Sequence, residues 1–210
     1  MPTKEEWKTA LIERHGEELQ KAFSSATVAV CGLGGLGSNI AALLARAGIG
    51  KLILIDFDRV DITNLHRQQY KWSQIGMYKT DAAAENLWEI TPYTELEAYT
   101  ERITEDNAAT LLQDADIICE AFDNAEAKAM LTDTVLSEMQ GKYLVAASGM
   151  SGLESANGIK TRMVTKRFYI SGDGVSDVSE GLGLVAPRVA LCAAHQAHTV
   201  LRILAKQFEV

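Results

Sequence analysis

Much of the chemistry legible in this chain lies in one run: Asp56-Phe57-Asp58-Arg59-Val60-Asp61-Ile62-Thr63-Asn64-Leu65-His66-Arg67-Gln68. Asn64, Arg67 and Gln68 deliver an amide, a guanidinium and a second amide among acidic residues, and the run is long and polar for a connection between a strand and a helix. A polyanion with several phosphate oxygens requires such groups, because a guanidinium and fixed donors neutralise and orient it. Arg67 and, farther on, Lys79 supply positive charge. Taken singly, each is more commonly a solvated surface charge.

Upstream, Gly32-Leu33-Gly34-Gly35-Leu36-Gly37-Ser38 joins an apolar strand to a helix. Glycines at such a junction let the backbone approach a phosphate, and the helix start offers unpaired N–H groups and a positive dipole end. No lysine follows Gly37, so the P-loop pattern is excluded. Asp56 lies about 20 residues beyond the glycines, where a carboxylate accepts hydrogen bonds from ribose hydroxyls. A nicotinamide-dependent dehydrogenase shares these features but needs only adenosine and pyrophosphate contacts. An enzyme that splits ATP between its α- and β-phosphates needs more charge and more fixed donors, which the polar run provides. Asp123 follows another apolar strand, at the sheet edge where ligands of such folds bind. Its carboxylate suits Mg2+ bridging phosphates. It suits the N-cap of the next helix equally well, as does Asn124.

These residues need elements to position them. Residues 27–31 (TVAVC), 51–56 (KLILID), 94–99, 115–121 (ADIICEA) and 143–147 (YLVAA) read as strands. Helices over 38–47, 79–90, 107–113 and 125–139 alternate with them. A strand, glycine turn, helix and strand within about 30 residues make a βαβ unit, which implies a parallel, buried sheet. The pattern predicts an α/β fold: a doubly wound, Rossmann-like, mostly parallel sheet with helices on both faces. Two shorter strands, 159–164 and 167–170, form an antiparallel C-terminal extension. Residues 171–184, rich in Gly, Ser and Asp, read as a mobile loop. Pro187 opens a last apolar helix. Gly16 divides an N-terminal helical segment, 1–24, and one ATP-binding domain is expected over 1–210.

At 210 residues the chain can bury a sizeable core in one domain. A net charge of -8 argues against a bare nucleic-acid backbone or an anionic membrane as partner. Cys31, Cys119 and Cys192 are odd in number and sit in apolar segments, so a reducing, cytoplasmic setting without a disulfide framework is expected. No C-x-x-C pair exists, so no four-thiolate zinc site is expected. Residues 23–45 are uncharged, but Gly32, Gly34, Gly35, Gly37 and polar Ser24, Ser25 and Asn39 interrupt them, so no membrane span or targeting signal is expected.

Together the motifs resemble the ubiquitin-activating-enzyme-like superfamily. The match runs Gly32-x-Gly34-Gly35-x-Gly37-Ser38, then Asp56-x-Asp58-x-Val60-x-x-x-Asn64-Leu65-x-Arg67-Gln68, Gly76-Met77-Tyr78-Lys79 and Ala121-Phe122-Asp123-Asn124, in that order. The short ThiF-type adenylyltransferases of thiamine biosynthesis are the most similar branch, and residues 187–197 also look like it. The resemblance implies ATP and Mg2+. It implies that Gly34, Gly35, Gly37, Asp56 and Asp58 bind the nucleotide, with Asp56 on the ribose. By the same resemblance Arg67 and Lys79 meet the phosphates, Asn64 and Gln68 orient them, and Asp123 holds Mg2+. Members usually dimerise, and an N-terminal arginine, here Arg14, can reach the partner's nucleotide. The alternative for Arg14 is a helix-surface salt bridge. The zinc-binding cysteine pairs of many relatives are missing, and residues 171–184 hold no reactive cysteine, which speaks against a covalent carrier–enzyme intermediate but not against adenylation.

The activity so implied is adenylylation of the C-terminal glycine carboxylate of a ubiquitin-like sulfur-carrier protein ending in Gly-Gly. Pyrophosphate is released, and the acyl-adenylate is left open to a sulfur donor protein. Substrates reached by the same chemistry are the molybdopterin carrier and a carbonyl group on modified tRNA. An NAD-dependent oxidoreductase leaves Asn64, Gln68, Lys79 and Asp123 unexplained. A non-catalytic binding module does not explain why every expected phosphate-side residue is present.

Overall fold

The computed structural model describes residues 2–179 and 181–210. Two helices, α1 (Lys4–His15) and α2 (Glu17–Ser24), open the chain, divided at Gly16 with φ 83°. The first βαβ unit is β1 (Thr27–Cys31), α3 (Gly35–Arg46) and β2 (Lys51–Ile55). Next come α4 (Lys79–Ile90), β3 (Glu95–Tyr99), α5 (Glu105–Leu111) and β4 (Ile117–Glu120). The chain continues through α6 (Ala125–Glu138), β5 (Tyr143–Ala147), β6 (Lys160–Thr165), β7 (Phe168–Gly172) and α7 (Ala186–Leu204).

The seven strands form one sheet in the order β3-β2-β1-β4-β5-β7-β6. Strands β1 to β5 and β7 run parallel, and β6 alone is antiparallel, paired with β7. The two C-terminal strands pair antiparallel with each other, as expected, and β7 also continues the parallel ladder beside β5. Successive side chains alternate between two cores. Val28, Val30, Leu52, Leu54 and Cys119 pack with α3, α4 and α7, whereas Ala29, Cys31, Ile53, Ile55 and Ile118 pack with α5 and α6. Helices on both faces explain why these strands read as unbroken apolar runs. All three cysteines are free and buried, and burial pushes the thiols of Cys119 and Cys192 up to about 12. Among the described residues, no helix is long and apolar enough to cross a membrane.

Strand order reverses at β1, which lies between β2 and β4, and this opens a crevice at the carboxyl ends of these strands. The glycine run faces that crevice, and there the structure corrects the sequence reading. Helix α3 begins at Gly35 rather than at residue 38, so Gly35 and Gly37 lie in its first turn. A Cβ on Gly37 would stand 1.8 Å from the Gly32 carbonyl oxygen. The chain doubles back so closely that this contact overrides the low helix propensity of glycine.

Candidate active site

The loop between β1 and α3 is held from three sides. Gly32 adopts φ 90°, and its N–H donates to the Ile55 carbonyl at 2.8 Å. A Cβ there would meet the Ala121 carbonyl oxygen at 2.9 Å and the Phe122 ring at 3.1 Å, so the loop rests on the chain leaving β4. Gly34 is the N-cap of α3 and carries no side chain to cap it, and the Ser38 hydroxyl donates back to the Gly34 carbonyl at 2.7 Å. The first-turn amides and the positive dipole end are therefore available to an anion.

Asp56 follows β2 and turns its carboxylate to this loop. It accepts from the Leu33 N–H at 2.6 Å and from the Asp58 N–H at 2.7 Å. Burial pushes its carboxyl above the usual range, while the charge of Lys79 and the two amides pull it back. Lys79 arrives there through a clasp: Arg59 bridges Tyr78 in antiparallel fashion, and the Lys79 N–H donates to the Asp58 carbonyl at 2.9 Å. Its ammonium lies 2.8 Å from Asp58 Oδ2 and 3.8 Å from Asp56 Oδ2, with 6 % of the side chain exposed. This is not the solvated surface charge that was the alternative reading.

The polar run folds locally. Asp61 accepts from the Thr63 N–H at 2.8 Å and starts a short 3-10 turn, Ile62–Asn64. The turn brings Asn64 and Gln68, four residues apart, onto one side, and Gln68 Nε2 donates to Asn64 Oδ1 at 2.8 Å. A Cβ on Gly34 would lie 3.8 Å from Gln68 Nε2, and one on Gly35 would lie 3.4 Å from Arg67 Cγ. Asn39 Nδ2 donates to the Arg67 carbonyl at 3.3 Å and fixes the arginine over the helix start. Arg67 Nε and Gln68 Oε1 are buried without a partner among the described residues, and since buried polar atoms are ordinarily paired, both suit contact with a polar ligand.

Asp123 follows β4 beyond Phe122, whose ring packs against Gly32, and it is exposed. The structure decides its helix-cap alternative: Asn124 is the cap of α6, accepting from the Ala127 N–H at 2.9 Å. No group of three or more His, Cys, Asp or Glu side chains capable of holding a metal occurs among the described residues. One free carboxylate beside the loop between β1 and α3 fits Mg2+, which takes one or two carboxylates, phosphate oxygens and water.

Arg14 does not join these residues. It is exposed on α1, where Leu11 packs on Gly48 beyond the far end of α3. That packing sets α1 against the end of α3 opposite the glycine loop, and the 12-residue helix between them is about 18 Å long.

The sequence reading assigned no role to four groups. Tyr70 is buried and donates from its hydroxyl to the Leu33 carbonyl at 2.7 Å, buttressing the loop from beneath. Glu120 and Lys128 pair within the sheet end at 2.9 Å. Arg188, at the start of α7, pairs with Asp173 at 2.5 Å and also donates to the Ser155 carbonyl at 3.0 Å. Burial opposes ionisation of Asp173, yet the amides of Ser176 and Val175, the Ser176 hydroxyl and Arg188 hold its carboxyl down to about 2. The fourth, Gln196, ties α7 to the carbonyls of Glu120 and Val145. Two signals were visible among them: an acid inside the apolar stretch ADIICEA, and the family resemblance over 187–197, which holds Arg188 and Gln196.

The stretch expected as a mobile loop, 171–184, is tied at several points. Ser171 and Gly172 belong to β7, the Gly152 N–H donates to the Gly183 carbonyl at 2.7 Å, and His66 Nε2 lies 3.3 Å from the Leu184 carbonyl. Glu180, within that stretch, lies outside the described residues. Val189 of α7 then abuts Gly35, closing the site on that side.

Known proteins share this arrangement of elements. Among sequences, the adenylyltransferase and sulfurtransferase UBA4 of Lodderomyces elongisporus is 30% identical over 192 residues, covering 88% of this chain and 42% of the relative. The adenylyltransferase and sulfurtransferase MOCS3 of Culex quinquefasciatus is 35% identical over 141 residues, covering 67% of this chain and 32% of the relative. This chain thus spans less than half the length of these relatives. Among solved structures, the E. coli tRNA N6-threonylcarbamoyladenosine dehydratase TcdA in complex with ATP superposes with a TM-score of 0.85. The identity is 23%, with 95% of this chain and 93% of that one covered, a likeness of fold. The pattern of the ThiF family matches residues 8–209, and the chain belongs to that family.

Proposed function

We propose that this chain is an adenylyltransferase that moves AMP from ATP onto the C-terminal glycine carboxylate of a ubiquitin-like sulfur-carrier protein. One observation carries the reading: Asp56, Arg67 and Gln68 all converge on the stretch from Leu33 to Gly35 at the uncapped start of α3, with Lys79 paired to Asp56. The names of the UBA4 and MOCS3 relatives, and the ATP held by the TcdA structure, support the same chemistry.

In this reading the ribose hydroxyls donate to Asp56, and the triphosphate lies along the first turn of α3. A carboxylate oxygen of the carrier attacks the α-phosphorus. The bond from that phosphorus to the β-phosphate oxygen breaks, and pyrophosphate leaves with the electron pair. Both reactants are anions, so the contribution of the chain is to hold them together and to neutralise charge. Arg67 and Lys79 carry that charge, while Asn64 and Gln68, already locked to each other, orient phosphate oxygens. Mg2+ held by Asp123 would spread the charge of the phosphates. No side chain acts as nucleophile, in keeping with three buried, protonated thiols. In a homodimer Arg14 would serve the nucleotide of the second copy, since it lies far from its own.

A second reading is activation of a carbonyl on modified tRNA, favoured by the near-equal extent of the TcdA match on both chains. The net charge of -8 weighs toward the protein partner. ATP–pyrophosphate exchange with carriers ending in Gly-Gly, with modified tRNA, and with neither separates the two. Arg67→Ala should fold and lose carrier-dependent exchange by on the order of a hundredfold, the effect of removing one transition-state donor. Full exchange in that variant rejects the role assigned to Arg67.

A further inference from the structure

We propose that Glu120 and Lys128 form a positioning pair that aims Asp123 into the nucleotide crevice. The inference rests on the nucleotide reading above and extends it to two residues outside the crevice. Strand β4 is apolar until its last residue, Glu120, which is 1 % exposed. By strand alternation its side chain leaves on the α6 face, like that of Ile118. There the Lys128 ammonium lies 2.9 Å from both carboxylate oxygens and donates to the Ala147 carbonyl at 3.2 Å. All three N–H donors of the lysine are used, and one cation joins the ends of β4 and β5 to α6.

The carboxylate also reaches forward. Glu120 Oε1 accepts from the Phe122 N–H at 2.7 Å, which closes the turn immediately before Asp123. From the opposite face Gln196 Nε2 donates to the Glu120 carbonyl at 3.0 Å and to the Val145 carbonyl at 3.1 Å. Phe122 rests on Gly32, and Asn124 is fixed as the cap of α6. Asp123 is therefore the one residue of its turn with an exposed side chain and no hydrogen bond of its own among the described residues, set between two anchored neighbours.

A buried ion pair is a poor source of stability, since apolar residues of the same volume commonly pack as well. Its place, directly behind the free carboxylate of Asp123, matches a role in geometry. Neither side chain is available to a phosphate: Glu120 is covered, and every donor of Lys128 is engaged. The pair thus acts through Asp123 rather than on the reacting atoms.

Calorimetric titration of the purified chain with ATP, in excess Mg2+ and in EDTA, tests this. Wild-type protein should bind ATP more tightly with Mg2+, and Asp123→Asn should lose the difference. Lys128→Met should cut the Mg2+ contribution by about 10- to 100-fold, as losing the support of a metal ligand does, and leave binding in EDTA unchanged. Lys128→Arg, which still donates to both oxygens, should restore it. If Lys128→Met fails to fold, Glu120→Gln/Lys128→Met leaves no unpaired buried charge and should show the same loss. A full Mg2+ contribution in either folded variant, with Asp123→Asn lacking it, overturns the positioning role and leaves the nucleotide reading intact. No Mg2+ effect in wild-type protein, or an undiminished one in Asp123→Asn, overturns that reading and the inference together.

Discussion

Replacing Lys79 by methionine isolates the electrostatics of the site, because the new side chain keeps most of the volume and removes the charge. The ammonium stands 3.8 Å from Asp56 Oδ2, a buried carboxylate, and 2.8 Å from Asp58 Oδ2, a half-exposed one. At an effective dielectric of about 20 a unit pair at the longer distance attracts by about 4 kcal/mol. Breaking a buried pair costs about 3–5 kcal/mol in measured cases. Asp56 keeps the amides of Leu33 and Asp58 at 2.6 and 2.7 Å, which places the expected loss at the lower end. A loss of about 3 kcal/mol corresponds to a fall of about 6–12 °C in unfolding midpoint for a chain of this size.

The pH dependence gives the sharper test. Burial raises the folded-state pKa of Asp56 above its unfolded value, and Lys79 limits the rise. The native state therefore holds the proton more tightly, and stability falls as pH rises from the unfolded value through the folded one. Without Lys79 the folded value moves further up and the window widens. The deficit of Lys79→Met should shrink in acid, as Asp56 takes up its proton, and be complete near neutrality. Thermal unfolding followed by circular dichroism, in steps across that range, measures it. A deficit that stays constant with pH, or grows in acid, would refute this account of the pair.

Two further outcomes follow from single contacts. Gly37→Ala must carry its new Cβ from 1.8 Å to at least 3.0 Å from the Gly32 carbonyl oxygen, so the start of α3 shifts by more than an ångström. The variant should lose ATP affinity or exchange rate by about a hundredfold, the cost of such a misplacement, and wild-type values would show that the loop is not the phosphate cradle. Asp173, held down to about 2, contributes stability above its unfolded pKa of about 3.9 that is lost as pH falls through about 2. Asp173→Asn should flatten the acid limb of the stability profile in denaturant titrations, and an unchanged limb would mean that the Arg188 contact does not anchor the stretch before α7.

The alternation of strands and helices was legible because TVAVC, KLILI and YLVAA are apolar on both sides, the mark of a sheet covered twice. Boundaries were less legible where polar residues begin a helix. Helix α5 starts at Glu105, two residues before the apolar pattern, because Asn107 accepts from the Thr104 N–H at 2.7 Å and secures the first turn. Helix α3 starts inside the glycine run because glycine propensity is a weak local preference and the contact with Gly32 is a hard steric one.

The sequence by itself determined which groups are present: a glycine turn, an acid one strand later, an amide–guanidinium–amide run and a lysine after a turn. Their local spacing already places Asn64 and Gln68 side by side. Only the tertiary structure decided the rest. Lys79 becomes a buried partner of Asp56 through the clasp between Arg59 and Tyr78, Asp123 is free because Asn124 takes the cap, and Arg14 stands at the far end of α3. Glu120 meets Lys128 and Gln196 because α6 begins, and α7 passes, beside the same strand terminus on opposite faces of the sheet. The reason is physical: periodicity and turn chemistry act over a few neighbouring residues, whereas these contacts depend on strand register and helix docking, which no short stretch of chain encodes.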